Sequence, residues 1–226
     1  MAQSQRTKLE VANQVLLNVN ERPLNRISGA LGIRINSAIR TAIYEIDTLN
    51  DWSWLRKQIT AESWSEDFAT LGQYWQRIID VKWAPGEGNK RRIPLKFISL
   101  DEFDYIYKDS YDSDAPQRPR WWTIGRDKQI GLTPYPTDEP EQNKILFDII
   151  AFTPIPKNDS SVFDIPEEYL ELVVMRASAL FALTHLGDTA TAGTFSQAFE
   201  AHAQRLRDRD RHIPTGGINM FRPKRV

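Results

Sequence analysis

The sequence predicts an α+β protein. A helical core is built from both ends of the chain, an antiparallel β-rich segment is inserted between them, and an extended C-terminal arm follows. Two changes of period carry this reading. Apolar residues recur at helical spacing up to Leu49 and again from Asp164, and between those points they alternate. A third observation sets the end: after Ile213-Pro214-Thr215-Gly216-Gly217 no period remains. The expected organisation is a discontinuous helical core over 1–50 and 160–212, a β-rich insertion over 51–159, and the arm over 213–226.

Thr7-Lys8-Leu9-Glu10 reads as a capping box that opens the first helix. Leu9, Ala12, Leu16 and Val19 then follow the helical period until Asn20 and Pro23 stop it. A second helix is expected over 33–49, with Ile35, Ile39, Ala42, Ile43, Ile46 and Leu49 on one face.

Over 75–83 the period is two, with Trp75, Ile79, Val81 and Trp83 expected to share a face. Pro85-Gly86-Glu87-Gly88-Asn89 has the chemistry of a turn. The return strand carries Ile93, Leu95 and Phe97 on one face, and Pro94 confines it to an edge. Ser99-Leu100-Asp101-Glu102 is a second capping box, for a short helix with Leu100, Phe103 and Tyr107 inward; 108–119 is expected as loop. Trp121 to Ile124 form a strand, Gly125-Arg126-Asp127-Lys128 a tight turn, and Ile130 and Leu132 the return strand, ended by Pro134 and Pro136. The run 145–152 is apolar on both faces, as a central strand requires.

Helix resumes at Asp164-Ile165-Pro166-Glu167, with an acid at the cap and proline in the first turn. Leu170, Leu172, Val173, Val174, Met175, Ala177 and Leu180 leave little polar face, so this helix is expected to be buried and central. Gly187 ends it and Asp188 caps the next, where Ala192, Phe195, Phe199, His202 and Leu206 keep the helical period.

The 226 residues, 41% apolar and 26% charged, suit an ordinary globular core that needs no metal or disulfide to hold it. With no cysteine, disulfide frameworks, zinc–thiolate sites and thiol nucleophiles are excluded, and the composition suits a reducing cytoplasm. The start, MAQSQRTKLE, has no apolar core of a signal peptide, and no apolar run is read as a membrane span. The net charge of −1 speaks against tight clamping of DNA, because phosphate contacts come from lysine and arginine. That charge is uneven. Residues 205–226 hold seven basic side chains and two acids, which suggests a docking element on a mildly acidic body.

His185, His202 and His212 have neither the spacing of a helical metal site nor a nucleophile beside them. His202 lies on an apolar stripe and reads as a packed or interface histidine. Gly86-Glu87-Gly88 before Lys90 lacks the ending of a phosphate loop and reads as a hairpin turn. Asp109, Asp112 and Asp114 lack the glycine and the final glutamate of a calcium loop. Glu167 and Glu168 suit a helix dipole better than an acid/base pair. No catalytic residue, cofactor or metal is therefore expected. The seven tryptophans are open to two readings, base or sugar stacking and core or subunit contact, and the second is favoured. The basic end is open to nucleic acid or to a partner protein.

Set in order, "VANQVLLNVNERPLNRISG", "LNDWSW", "RPRWWTIGRDKQIGLTPYPTDE", "KILFDIIAFTPIP" and "FDIPEEYLELVVMRASALFALTHLGD" resemble the head–tail adaptor proteins of short-tailed phages, called tail tubular protein A or tail accessory factor. The resemblance covers most of residues 8–210 and rests on the order and spacing of its motifs. It implies a structural, non-enzymatic virion protein, assembled in the host cytoplasm. Its copies would form a dodecameric ring below the portal and hold the tail nozzle, and DNA would pass through without specific binding. It further implies that the terminal arm reaches the portal. The residues expected to make that contact are Arg209, Arg211, His212, Ile213, Phe221, Arg222, Lys224 and Arg225, by charge and by Ile213 and Phe221 as apolar anchors. The loops expected to face the nozzle hold Gly86, Glu87, Gly88, Asn89, Arg126, Asp127 and Lys128. The alternative is an accessory protein that binds nucleic acid through its basic end. No membrane partner is expected.

Overall fold

The structure, a computed structural model, describes residues 5–61, 68–71, 75–85, 92–110, 119–125, 129–134 and 143–211. The fold is α+β, with five α-helices and two sheets among the described residues. The chain divides into a helical unit, Met1–Trp54 with Thr153–Val226, and a β unit, Leu55–Phe152. The sequence had suggested boundaries at residues 51 and 159.

The helical unit holds α1 (Lys8–Asn18), α2 (Gly29–Leu49), α4 (Glu167–Phe181) and α5 (Thr189–Arg211). Helix α4 is packed against α1, α2 and α5 at once. Tyr169, Leu170, Leu172, Val173, Val174, Ala177 and Phe181 are all buried along it, so no broad polar face is left. With its extension to Leu186, α4 is long and apolar enough to cross a membrane by length and composition, contrary to the reading of the sequence. Just over half of that span is buried by packing, and Leu183 and Leu186 at its end stay exposed.

Both predicted capping residues at the first helix are in place. The Thr7 hydroxyl accepts from the Glu10 amide at 3.3 Å, and Glu10 Oε2 accepts from the Thr7 amide at 2.7 Å. Here the stripe is wider than the sequence reading, with Val11 and Val15 buried beside Ala12 and Leu16. Helix α2 starts a turn earlier than expected, at Gly29, whose φ of +69° only glycine adopts freely. Close by, a Cβ on Gly32 would lie 2.8 Å from the Ile27 carbonyl carbon, so this turn of helix fits only without a side chain. The cap of α4 is Pro166, two residues after the expected Asp164; Glu167 and Glu168 then fall in the first turn, where the dipole favours acids. A single π-type turn, Ala182–Leu186, closes α4, and Gly187 in the left-handed region ends it. Asp188 accepts from the Thr191 amide at 3.0 Å and caps α5, as expected.

Backbone bonds join the distant segments of this unit. The Lys8 amide donates to Ser161 O and the Leu9 amide to Asp159 O, both at 3.0 Å. Asp159 Oδ2 also accepts from the Ile27 amide at 2.7 Å.

The β unit holds two four-stranded sheets. The first has order β1-β8-β3-β4, from β1 (Arg56–Ala61), β3 (Trp75–Pro85), β4 (Ile93–Pro94) and β8 (Asn143–Ala151). The second has order β2-β7-β6-β5, from β2 (Phe68–Thr70), β5 (Lys96–Phe97), β6 (Trp121–Ile124) and β7 (Gln129–Thr133). Val81, Ile145, Phe147 and Ile149 from one sheet share a core with Trp122, Ile130 and Leu132 from the other. The predicted central strand is β8, paired on both sides. Trp121 and Trp122 point to opposite faces; Trp122 enters the core and Trp121 is half-buried.

Three expectations are corrected. First, strand β3 does not alternate strictly. Its register with β8 slips between Trp75 and Arg77 and again between Ile78 and Asp80, so Gln76 and Ile79 are extra residues. One slip turns the strand over and the next turns it back. Ile78 therefore packs on the core, and Ile79 is 42% exposed. Second, the return strand changes sheet. The Leu95 amide still donates to Val81 O at 2.8 Å, but Lys96–Phe97 pairs with β6, and in parallel. Phe97 is exposed as a result, not inward with Ile93 and Leu95. Third, helix α3 (Leu100–Ser110) runs into the segment expected as loop; Asp109 is on it, and Asp112 and Asp114 lie outside the described residues. The sequence reading also had no strand where β1 and β2 lie.

The bulges make a direct prediction. Ile78→Ala should cost about 2 kcal/mol, as for an aliphatic side chain leaving a core. Ile79→Ala should stay within about 0.5 kcal/mol. Urea unfolding of both variants checks this, and the opposite ranking would mean that β3 alternates regularly after all.

Candidate functional site

The basic run RLRDRDR near the end of α5 holds two acids among its arginines. One of them, Asp210, does not face solvent freely. Its carboxylate accepts from the Ser53 amide at 2.9 Å and from the Ser53 hydroxyl at 2.5 Å, with the Tyr169 hydroxyl at 3.5 Å. Ser53 opens a short 3-10 turn, Ser53–Leu55, whose first amide has no partner of its own. An acid from the last helix thus caps the turn at which the chain leaves the helical unit.

Tyr169 is the floor of this site. Trp52 meets its ring edge-on at 5.1 Å, and Trp54 lies against it at 5.4 Å. The Trp52 indole N–H donates to Ile46 O at 2.7 Å, so this fully buried ring is also satisfied. Burial and then the Asp210 charge push the Tyr169 hydroxyl up to about 12, so it stays a neutral donor. Beside it, Arg209 is ion-paired with Glu168 on the first turn of α4. The Trp54 Nε1 atom is buried and has no partner among the described residues.

A second carboxylate does the same at the return point. Asp47, on the buried face of α2, accepts from the Thr153 amide and from the Thr153 hydroxyl, both at 2.7 Å. Thr153 is the first residue of the helical unit after the β segment. The two ends of the insertion are therefore each held, inside the helical unit, by one acid. Burial pushes the Asp47 carboxyl from its ordinary 3.8 up to about 6, against the pull of the two Thr153 bonds.

Of the residues expected to reach the portal, Arg209 and Arg211 belong to α5 rather than to an arm, and Arg209 is engaged within its own chain. His212, Ile213, Phe221, Arg222, Lys224 and Arg225 lie outside the described residues. So do Gly86, Glu87, Gly88, Asn89, Arg126, Asp127 and Lys128. The strands beside those loops are described: β3 runs to Pro85, and the Gly125 amide donates to Gln129 O at 2.8 Å across the second loop. The structure brings together a set the sequence reading had not singled out: Ser53, Tyr169 and Asp210, with Asp47 and Thr153. The available signals were an acid on an otherwise apolar helix face and an acid inside a basic run.

Among the described residues, no three histidine or acidic side chains gather as a metal site. His185 packs on the Phe181 ring at 5.1 Å, and His202 is half-buried on α5. What the geometry defines is an α+β protein in which described polar side chains such as Asp47, Glu168, Arg209 and Asp210 cap, ion-pair and fasten its own segments. Over residues 6–220 the chain matches the family model described as SU10 adaptor protein, and it belongs to that family of phage head–tail adaptors. It is thus a virion component that interacts with portal and tail proteins. No curated protein matches the chain.

Two predictions follow from the paired acids. Asp210→Ala leaves the Ser53 amide and hydroxyl without their acceptor and should cost about 1–3 kcal/mol. Arg209→Ala breaks an ion pair exposed to solvent and should cost at most about 1 kcal/mol. Thermal melts of the two variants test the ranking, and equal losses would show that the Asp210 clamp is not the stronger contact. For Asp47, the native state holds its proton more tightly than the unfolded chain does. The stabilisation is complete below about pH 4 and is lost as pH rises through about 6, by about 3 kcal/mol in all. Relative to Asp47→Asn, the natural protein should therefore weaken across that window. A difference in unfolding free energy that does not change between pH 4 and pH 7 would remove this account.

Proposed function

We propose that this adaptor acts as a non-enzymatic connector. Its copies close into a dodecameric ring below the portal, hold the tail nozzle beneath it, and give DNA a passage without gripping it. The family match over residues 6–220 is the observation that carries the proposal. The charge supports it: a chain with a net charge of −1 has no excess of cations to retain a passing polyanion. The basic residues concentrated in 205–226 support a docking role for the end of the chain. In this reading the ring assembles in the host cytoplasm, as the tail tubular proteins that the sequence resembles would. Arg211, His212, Ile213, Phe221, Arg222, Lys224 and Arg225 make the portal contact, with Arg209 shared between that contact and Glu168. The loops 86–89 and 126–128 face the nozzle.

Removal of residues 213–226 should leave the melting transition of the protein in place and abolish its co-sedimentation with purified portal rings. Normal attachment of the truncated chain would refute the arm assignment. The same basic run favours one competing reading, a nucleic-acid-binding accessory protein. That reading requires salt-sensitive retention of free DNA in a filter-binding assay, where the connector predicts none.

A further inference from the structure

The outward side of α2 is unusual for a solvent-facing helix. Ile33 is 70% exposed and Tyr44 59% exposed, and with Ser37 and Arg40 they form one stripe at 33, 37, 40 and 44. Arg34 and Arg40 are exposed beside them, and neither has an ion-pair partner among the described residues. The two acids of α2 do not offset them. Glu45 is bound to Arg176 at 2.5 Å, and Asp47 is buried on Thr153. The face is therefore apolar and positive.

Helix α3 presents the reverse. Tyr105 is 75% exposed and follows Asp101 by one turn, with exposed Asp104 alongside. The whole helix, LDEFDYIYKDS, holds four acids and one lysine. Of the acids, Glu102 is occupied in the capping box with Ser99. This face is aromatic and negative.

We propose that these two faces meet between copies, with α2 of one adaptor chain seated on α3 of the next. Tyrosine and arginine at the centre of exposed apolar patches are the side chains that interfaces favour. Opposite charges on the two faces steer the pairing and set its direction. A two-fold dimer through either face would set like charges against each other. The contact is therefore heterologous, and repeating it builds a closed ring or a filament. The inference rests on the ring proposed for this family member, and it supplies the subunit joint that such a ring needs.

Charge reversal tests it. The full-length variants R34E/R40E and D101K/D104K should each keep the melting transition of the natural protein and each fail to form ring-sized particles on purified portals in a density gradient. An equimolar mixture of the two variants should recover them, because alternating copies restore both pairings. A chain carrying all four substitutions should recover them as well. The joint is overturned if either variant alone assembles like the natural protein, or if the mixture and the fourfold variant both stay apart. Should a charge variant fail to fold, Tyr44→Ala and Tyr105→Ala give the second measurement. Each should reduce assembly at least tenfold, and undiminished assembly of both overturns the joint. If the natural protein itself forms no ring on portals, the connector reading fails first and independently of where the joint lies.

Discussion

Helix α4 carries apolar residues around most of its circumference, and most of the helical unit answers to the need to cover them. An all-round apolar helix is stable in water only when other elements surround it. The elements that do so come from both ends of the chain: α1 and α2 before the β segment, α5 after it. The unit is discontinuous for this reason. Ser178, buried along α4, is satisfied locally: it donates to Val174 O and accepts from Asn18. The bonds from Lys8 and Leu9 to Ser161 and Asp159 then close the wrap at the level of the backbone.

A discontinuous unit has two places where the chain must leave and return, and each exposes backbone groups that no helix or strand can satisfy. Asp210 and Asp47 supply the missing acceptors, one on Ser53 and one on Thr153. They come from helices that belong to opposite ends of the sequence. Each acid takes both the amide and the hydroxyl of its partner, so position and side-chain rotamer are fixed together. The cost is a carboxylate withdrawn from water, which is visible in the raised proton affinity of Asp47. Fastening of the chain's own segments is what these side chains are arranged to do.

The features legible in the sequence were those with strong local chemistry. The capping boxes at Thr7 and Ser99, the buried α4, the glycine at 187 and the central strand β8 all depend on residues within a few positions of each other. Helix ends were misplaced by a few residues, and the larger misses were long-range. Strand β1 reads RKQITA, with one apolar residue of weight, and is a strand because β8 offers it a ladder. The bulges at Gln76 and Ile79 are set by the partner strand, and the change of sheet after Leu95 by β6, so neither leaves a period to read. The family was legible because its motifs keep their order along the chain. The contacts of Asp210 and Asp47 were not, since they span 157 and 106 residues.

The doubled bulge in β3 has a consequence for heredity. Trp75, Ile78, Val81 and Trp83 each stand opposite a residue of β8 in the ladder, whereas the register skips Gln76 and Ile79. Loss of either codon would straighten the strand without taking an inward side chain from its opposite number. Elsewhere in a paired strand, a one-codon deletion turns everything beyond it to the wrong side. β3 is thus a stretch where length polymorphism can accumulate in a phage lineage while the sandwich stays the same.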